Sequence, residues 1–136
     1  MQYLQNNIWM VLAAGVSGGM LLWSFFGNKF RGVKEVDNTA ALQLINHRDA
    51  LVLDVREPDE FEAGHILNAK LIPLLKLKDS LGELERYREK PIVVVCRSGQ
   101  RSATACALLN KRGFSQTYNL AGGILAWQKA ELPMEK

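Results

Sequence analysis

The chain has 136 residues, of which 48% are hydrophobic and 23% are charged. This composition is typical of a globular protein with a buried core and excludes an intrinsically disordered chain. The net charge is only +3, with acidic and basic residues interspersed. No nucleic-acid partner is therefore predicted, because such binding usually requires a clustered basic face.

The first 28 residues are predicted to be a membrane anchor. They contain no Lys, Arg, Asp or Glu, and residues 8–26 form the apolar segment IWMVLAAGVSGGMLLWSFF. At about 1.5 Å per residue, a helix of this length crosses most of a bilayer core of roughly 30 Å. Trp9 and Trp23 lie near its ends, where amphipathic rings favour the membrane interface. A cleaved signal peptide would require positively charged residues before the apolar segment, and none is present.

The residues after the apolar segment indicate its orientation. Lys29, Arg31 and Lys34 follow it directly, and positively charged residues usually flank a span on its cytoplasmic side. The chain is therefore predicted to be a single-pass protein of the inner (cytoplasmic) membrane, with its C-terminal domain in the cytoplasm. Within the span, Gly15 and Gly19 have the spacing that lets two helices approach closely, which would allow dimerisation.

A short basic link, residues 29–37, contains the first predicted strand and leads into a domain at residues 33–132. No Gly/Ser-rich linker separates the predicted membrane span from the domain. The domain would therefore lie close to the lipid bilayer and to a possible membrane-protein partner. Such a partner is an expectation that follows only from the length of the link.

The domain is predicted to be α/β, with a parallel five-stranded sheet covered by helices on both faces. Residues 51–55 (LVLDV) and 91–96 (PIVVVC) are short, β-branched apolar runs of the kind buried in parallel sheets. Weaker strands are predicted at residues 33–36, around Leu71 and around Tyr118. The predicted helices are residues 39–47, 58–63, 80–88, 102–112 and 123–130, with Gly113 ending the fourth. This alternation of strand and helix favours a parallel sheet.

Cys96 lies where a predicted strand ends and a helix follows. Ligands of parallel sheets bind beyond the carboxyl ends of the strands, and the free N–H groups at a helix start favour an anion. Gly99 allows the loop to curl so that its N–H groups converge, and Arg97 and Arg101 add two positive charges. Because these features stabilise a thiolate, Cys96 is predicted to be a nucleophile of lowered pKa.

The second cysteine and the two histidines are interpreted as structural. Cys106 lies in the apolar helical segment SATACALL, where packing is favoured over a role as a resolving thiol. His47 and His65 belong to no metal-ligand pattern, and two cysteines provide no disulfide framework. Neither a metal nor a cofactor is predicted.

Three segments, in order along the chain, resemble the signatures of single-domain rhodaneses, which are sulfurtransferases. They are LDVREPDEFEAGHILNAKLIP (53–73), VVVCRSGQRS (93–102) and YNLAGGILAW (118–127). The resemblance covers roughly residues 33–132 and implies the rhodanese-like fold. It departs from the family at Asn68, where many members have glycine, and this affects only a local turn.

The resemblance implies that Cys96 takes sulfane sulfur from thiosulfate or a persulfide, becomes a persulfide and passes the sulfur to a thiol or protein acceptor. Backbone N–H groups of the loop would cradle the terminal sulfur, and Arg97 and Arg101 would hold an anionic donor. The substrate-binding residues are then Arg97, Ser98, Gly99, Gln100, Arg101 and Ser102. The resemblance also implies that four residues support the fold instead of reacting: Asp54, Arg56, Glu60 and His65.

Two other functions fit the same fold. Related phosphatases and arsenate reductases place five residues between cysteine and arginine and a histidine before the cysteine. Here four residues separate Cys96 from Arg101, and Val95 precedes the cysteine, so the loop is better matched to one sulfur atom than to a phosphate. The other alternative is a membrane-tethered interaction module without turnover, because a fold alone does not fix function.

Overall fold

The predicted sheet of five parallel strands lies at the centre of the fold, and in space its strands follow the order 34–36, 117–120, 92–95, 51–54 and 70–71. The structure, a computed structural model, describes residues 33–136. Its strands are β1 (Lys34–Val36), β2 (Leu51–Asp54), β3 (His65–Ile66), β4 (Lys70–Leu71), β5 (Ile92–Val95), β6 (Thr117–Leu120) and β7 (Met134–Glu135). Its helices are α1 (Asn38–Arg48), α2 (Pro58–Ala63), α3 (Leu74–Leu77), a 3₁₀ helix (Leu81–Tyr87), α4 (Gln100–Lys111) and α5 (Gly123–Lys129).

Both faces of the sheet are buried, which explains the continuous apolar runs of β2 and β5. Successive side chains of a strand point to opposite faces. Leu53 and Val94 belong to one apolar core, whereas Val52 and Val93 belong to the other. Helices α3 and α4 and the 3₁₀ helix cover the first core, while α1 and α5 cover the second. The predicted arrangement of helices on both faces is confirmed.

The structure differs from the predicted elements between β4 and β5. Residues 80–88 were expected to form an α-helix, but a 3₁₀ helix occupies Leu81–Tyr87. Gly82 weakens helical structure here, and Leu84 is the one buried residue of the segment, so little packing favours a regular helix. The short helix α3 was not predicted, because four residues are too few for a periodic signal.

A second, two-stranded sheet was also not predicted. Strand β7 pairs with β3 in antiparallel fashion, with His65 opposite Glu135 and Ile66 opposite Met134. These strands have two residues each, too short for an alternating pattern to reveal them. The chain therefore continues in ordered structure beyond residue 132, the end of the predicted domain.

Gly113 and Asn68 both have a left-handed backbone, and only Gly113 was predicted to end a helix. Gly113, at the end of α4, has a positive φ of 92°. Asn68, the departure from the family pattern, also lies in the left-handed region, with φ of 64°. Asparagine adopts this conformation more readily than most residues, so it replaces glycine here without disrupting the turn.

The predicted membrane anchor, residues 8–26 with Gly15 and Gly19, lies outside the described residues. Within residues 33–136, no helix combines the length and the apolar character that a bilayer span requires.

Candidate active site

Cys96 is the first residue after β5, at the carboxyl edge of the sheet, and it is 1% exposed. The start of α5 holds the backbone of the cysteine in place. The N–H of Ile124 donates to the Cys96 carbonyl over 2.8 Å, and the N–H of Leu125 donates to the Arg97 carbonyl over 3.2 Å. The sequence segment YNLAGGILAW therefore supports the cysteine loop directly, although it lies more than twenty residues further along the chain.

The loop after Cys96 curls back on its sulfur. Gly99 has φ of 110°, a conformation that favours glycine, and its N–H donates to Cys96 Sγ over 3.0 Å. Ser102, in the first turn of α4, is fully buried and places its Oγ 3.3 Å from the sulfur. Ser98 and Gln100 are exposed, so this part of the loop faces solvent.

These contacts change the acidity of the cysteine. Burial raises the pKa of Cys96, but hydrogen bonds from the Ser102 side chain and from the backbone N–H groups of Ser102, Gly99 and Ser98 outweigh it. The net effect is a pKa below the ordinary value of a thiol. The fold thus favours the thiolate, the nucleophilic form of cysteine.

The two arginines of the loop differ in their environments. Arg101 donates from Nη1 and Nη2 to the carboxylate of Glu60 on α2, over 2.7 and 2.9 Å. Arg97 is exposed, and within residues 33–136 its guanidinium has neither a hydrogen bond nor an ion pair. Sequence reasoning treated the two as equivalent. The structure leaves the Arg97 guanidinium unpaired among residues 33–136 and engages Arg101 in a link between α2 and α4.

Glu60 is held as a carboxylate by this link. Hydrogen bonds from Arg101 lower the pKa of Glu60 from 4.5 to about 2, against a smaller opposing effect of burial. The N–H of Glu57, which precedes α2, also donates to Glu60 over 3.1 Å. Glu60 therefore fixes the first turn of α2 and the first turn of α4 relative to each other.

Asp54 and Arg56 form a buried ion pair beside the loop. Arg56 donates to the Asp54 carboxylate over 2.8 to 3.1 Å and to the carbonyl of Gly64 over 2.8 Å. His65 stacks on Phe61 with ring centroids 3.7 Å apart and hydrogen-bonds the carbonyl of Phe61 over 2.9 Å. These contacts are those of residues that support the fold, and the prediction of that role remains to be tested by substitution.

Sequence reasoning missed Asn119, the third residue of β6. It is 2% exposed; its Nδ2 donates to the Gly99 carbonyl over 3.0 Å, and its Oδ1 accepts from Ser102 Oγ over 2.5 Å. One signal was available, since an amide near the end of a buried strand requires partners. Those partners lie on another segment of the chain, so the sequence did not identify them.

Cys106 is fully buried in α4, away from solvent. Burial raises its pKa to about 12, so it stays a thiol at neutral pH. In the described part of the chain, no group of three or more His, Cys, Asp or Glu residues is arranged to hold a metal ion.

Comparison with known proteins agrees with this geometry. The profile of the rhodanese-like domain matches residues 37–130. The chain is 37% identical over 103 residues to the uncharacterized protein YibN of Escherichia coli, covering 75% of this chain and 72% of that protein. It is also 37% identical over 103 residues to a sulfurtransferase of Allochromatium vinosum, covering 75% and 94% of the two chains.

A solved structure extends the comparison to three dimensions. The crystal structure of a rhodanese-related protein from Thermoplasma volcanium superimposes with a TM-score of 0.67 at 32% sequence identity. The match covers 75% of this chain and 97% of that one. The parallel sheet, the cysteine loop and these matches show that the chain belongs to the rhodanese-like domain family.

Proposed function

We propose that the protein is a sulfurtransferase in which Cys96 carries sulfur as a persulfide. One observation carries the proposal: a cysteine of lowered pKa lies at the carboxyl edge of the sheet, with the Gly99 N–H 3.0 Å from its sulfur. The relatives named sulfurtransferase, including thiosulfate sulfurtransferases of Coxiella burnetii at 33% identity, support the same reaction class.

The proposed reaction has two displacement steps. The Cys96 thiolate attacks the outer sulfur of thiosulfate, a new S–S bond forms, and sulfite leaves with the electron pair of the broken S–S bond. An acceptor thiolate then attacks the outer sulfur of the Cys96 persulfide, and Cys96 leaves as a thiolate. Converging N–H groups of the loop stabilise the charge that the outer sulfur carries between the two steps.

Intact-mass spectrometry of the full chain after incubation with thiosulfate tests this proposal. We expect a gain of about 32 Da, one sulfur atom, that dithiothreitol removes. The Cys96→Ser variant should show no gain, and the matched Cys106→Ala variant should gain sulfur like the wild type. A parallel incubation with glutathione persulfide distinguishes two explanations of a negative result with thiosulfate: that Cys96 does not use this donor, or that it accepts no sulfur at all. No adduct with either donor would refute the proposal.

We further propose that residues 1–28 tether this activity to the cytoplasmic face of the inner membrane. The support is the uncharged segment 8–26 and the basic residues that follow it. In bacterial cells the full chain should stay in the membrane fraction after alkaline washing. Two central charges, Leu12→Arg with Val16→Arg, should release it, whereas Leu12→Ala with Val16→Ala should not. Digestion of the domain by protease added to intact spheroplasts would refute the orientation.

A further inference from the structure

Asn119 completes a closed ring of hydrogen bonds around Cys96. It lies opposite Val94 in the pairing of β6 with β5, so its side chain is beside the strand that ends at the cysteine. The ring runs from Cys96 Sγ to Ser102 Oγ (3.3 Å), to Asn119 Oδ1 (2.5 Å), then from Asn119 Nδ2 to the Gly99 carbonyl (3.0 Å). The Gly99 N–H closes it by donating to Sγ over 3.0 Å. Cys96, Ser102 and Asn119 are each at most 2% exposed.

The direction of each hydrogen bond follows from the chemistry of the groups. The Gly99 carbonyl can only accept, so the amide nitrogen of Asn119 faces it and the amide oxygen faces Ser102. That oxygen carries no proton, and therefore the Ser102 hydroxyl donates to it. A hydroxyl has one proton, so Ser102 offers only a lone pair to Cys96 while it donates to Asn119, and it stabilises the thiolate only when that proton turns to the sulfur. The neutral thiol fits this ring, because it can donate its own proton to Ser102.

The thiolate does not fit the same ring. It has no proton to donate, and it is best stabilised when Ser102 turns its hydroxyl proton toward the sulfur. That rotation leaves Asn119 Oδ1 buried without its donor, which opposes ionisation. We propose that Asn119 is a positioning residue that holds the Ser102 hydroxyl proton away from Cys96 and so limits the fraction of the cysteine that is thiolate.

Other charged and titratable groups near the loop also influence the pKa of Cys96. They come from the loop, from β2 and the residues after it, and from α2 and α4: Arg97, the Asp54–Arg56 pair, the Glu60–Arg101 pair and the Cys106 thiol. None of these groups hydrogen-bonds Ser102 Oγ in the described structure. Their contributions are common to all the variants of β6 compared below.

The inference rests on the proposed function for its consequence, since sulfur uptake begins with the Cys96 thiolate. A smaller thiolate fraction slows sulfur uptake at neutral and acidic pH. It also reduces the reaction of the unloaded cysteine with oxidants and other electrophiles, because the thiolate is the reactive form. The side chain on β6 thus balances the reactivity that the loop N–H groups provide.

The test measures the rate at which iodoacetamide alkylates Cys96 in the full chain as a function of pH, read at the Cys96 peptide by mass spectrometry. Asn119→Leu removes the acceptor and keeps the number and branching of the side-chain heavy atoms. Below the midpoint of the alkylation profile, this substitution should increase the thiolate fraction of Cys96. The increase should be roughly tenfold larger than the one it causes in a Ser102→Ala background, where no hydroxyl proton remains to be released. Equal effects in the two backgrounds would overturn the inference.

Two further variants keep the test decisive. Asn119→Asp retains an acceptor for Ser102 and adds a negative charge, so it should move the alkylation profile to higher pH, opposite to Asn119→Leu; a move to lower pH would overturn the inference. Thr117→Val, two residues earlier on β6, removes a partly buried hydrogen bond to Asn110 and should leave the profile unchanged. A shift in Thr117→Val that equals that of Asn119→Leu would also overturn the inference. Alkylation needs no sulfur donor, so failure to form a persulfide would refute the proposed function alone.

Discussion

The backbone N–H of Ile124 donates to the carbonyl oxygen of Cys96 over 2.8 Å, which joins the start of α5 to the cysteine loop. This approach depends on the preceding residue, Gly123, whose φ is 56°. A Cβ at Gly123 would collide with the carbonyl oxygens of both Cys96 and Arg97. The absence of a side chain at one position on α5 thus allows the loop to lie where it does.

Gly123→Ala should therefore displace the loop. We expect it to lower the free energy of unfolding by about 2 kcal/mol, because the left-handed backbone and the clash add together. Sulfur transfer should fall by at least tenfold. Thermal unfolding and the mass-spectrometric assay measure the two effects. Gly82→Ala is the matched control, since nothing lies within 4 Å of a Cβ at that position and its φ is not positive. Equal behaviour of the two variants would contradict this account of Gly123.

Glu60→Gln should weaken the link between α2 and α4. The pair is partly exposed, so we expect a loss of only about 1 kcal/mol at pH 7. The pKa of Glu60 is about 2 in the folded chain and 4.5 as its ordinary value. Its stabilising effect is therefore complete above pH 4.5 and is lost as the pH falls toward 2.

Thermal unfolding of the full chain across this pH range checks the expected difference. The gap between wild type and Glu60→Gln should narrow steadily below pH 4.5. Glu62→Gln, at an exposed position on the same helix, should show no comparable gap. A gap that is constant with pH would mean that the carboxylate charge of Glu60 does not stabilise the fold.

Arg97→Ala should selectively reduce the use of anionic sulfur donors. Its guanidinium is exposed and unpaired within residues 33–136, so it can contact the sulfonate group of thiosulfate. We expect kcat/KM for thiosulfate to fall about tenfold, and for a neutral persulfide to change little. Lys111→Ala, at the far end of α4, makes the same charge change and serves as the control. Equal losses for both donors would instead indicate that Arg97 shapes the loop.

Cys106→Ala should retain sulfur transfer. The Cys106 thiol is fully buried, and burial raises its pKa to about 12, so it neither attacks a donor nor resolves a persulfide at neutral pH. Loss of the buried sulfur should cost roughly 1 kcal/mol of stability. Iodoacetamide at pH 8 should label Cys96 and leave Cys106 unmodified. Loss of turnover in a folded Cys106→Ala variant would give this thiol a role in the reaction.

The sequence determined the architecture, because the strands that form the centre of the sheet are buried on both faces. Such strands are continuous β-branched runs, and β2 and β5 lie within one residue of their predicted limits. The cysteine loop was also predictable, since a strand end, a glycine and a helix start are consecutive in the chain. The left-handed backbone of Asn68 was not predicted, although asparagine adopts this conformation more readily than most residues.

Tertiary structure decided which loop residues are free and which are engaged. Glu60 and Arg101 are separated by 41 positions in sequence, and only the folded chain places the Arg101 guanidinium 2.7 Å from the Glu60 carboxylate. Asn119 reaches Gly99 and Ser102 because β6 pairs with β5. The sequence of neither strand alone predicts this pairing. Local patterns record burial and backbone preference, whereas the partner of a polar side chain depends on which distant segment the folded chain places beside it.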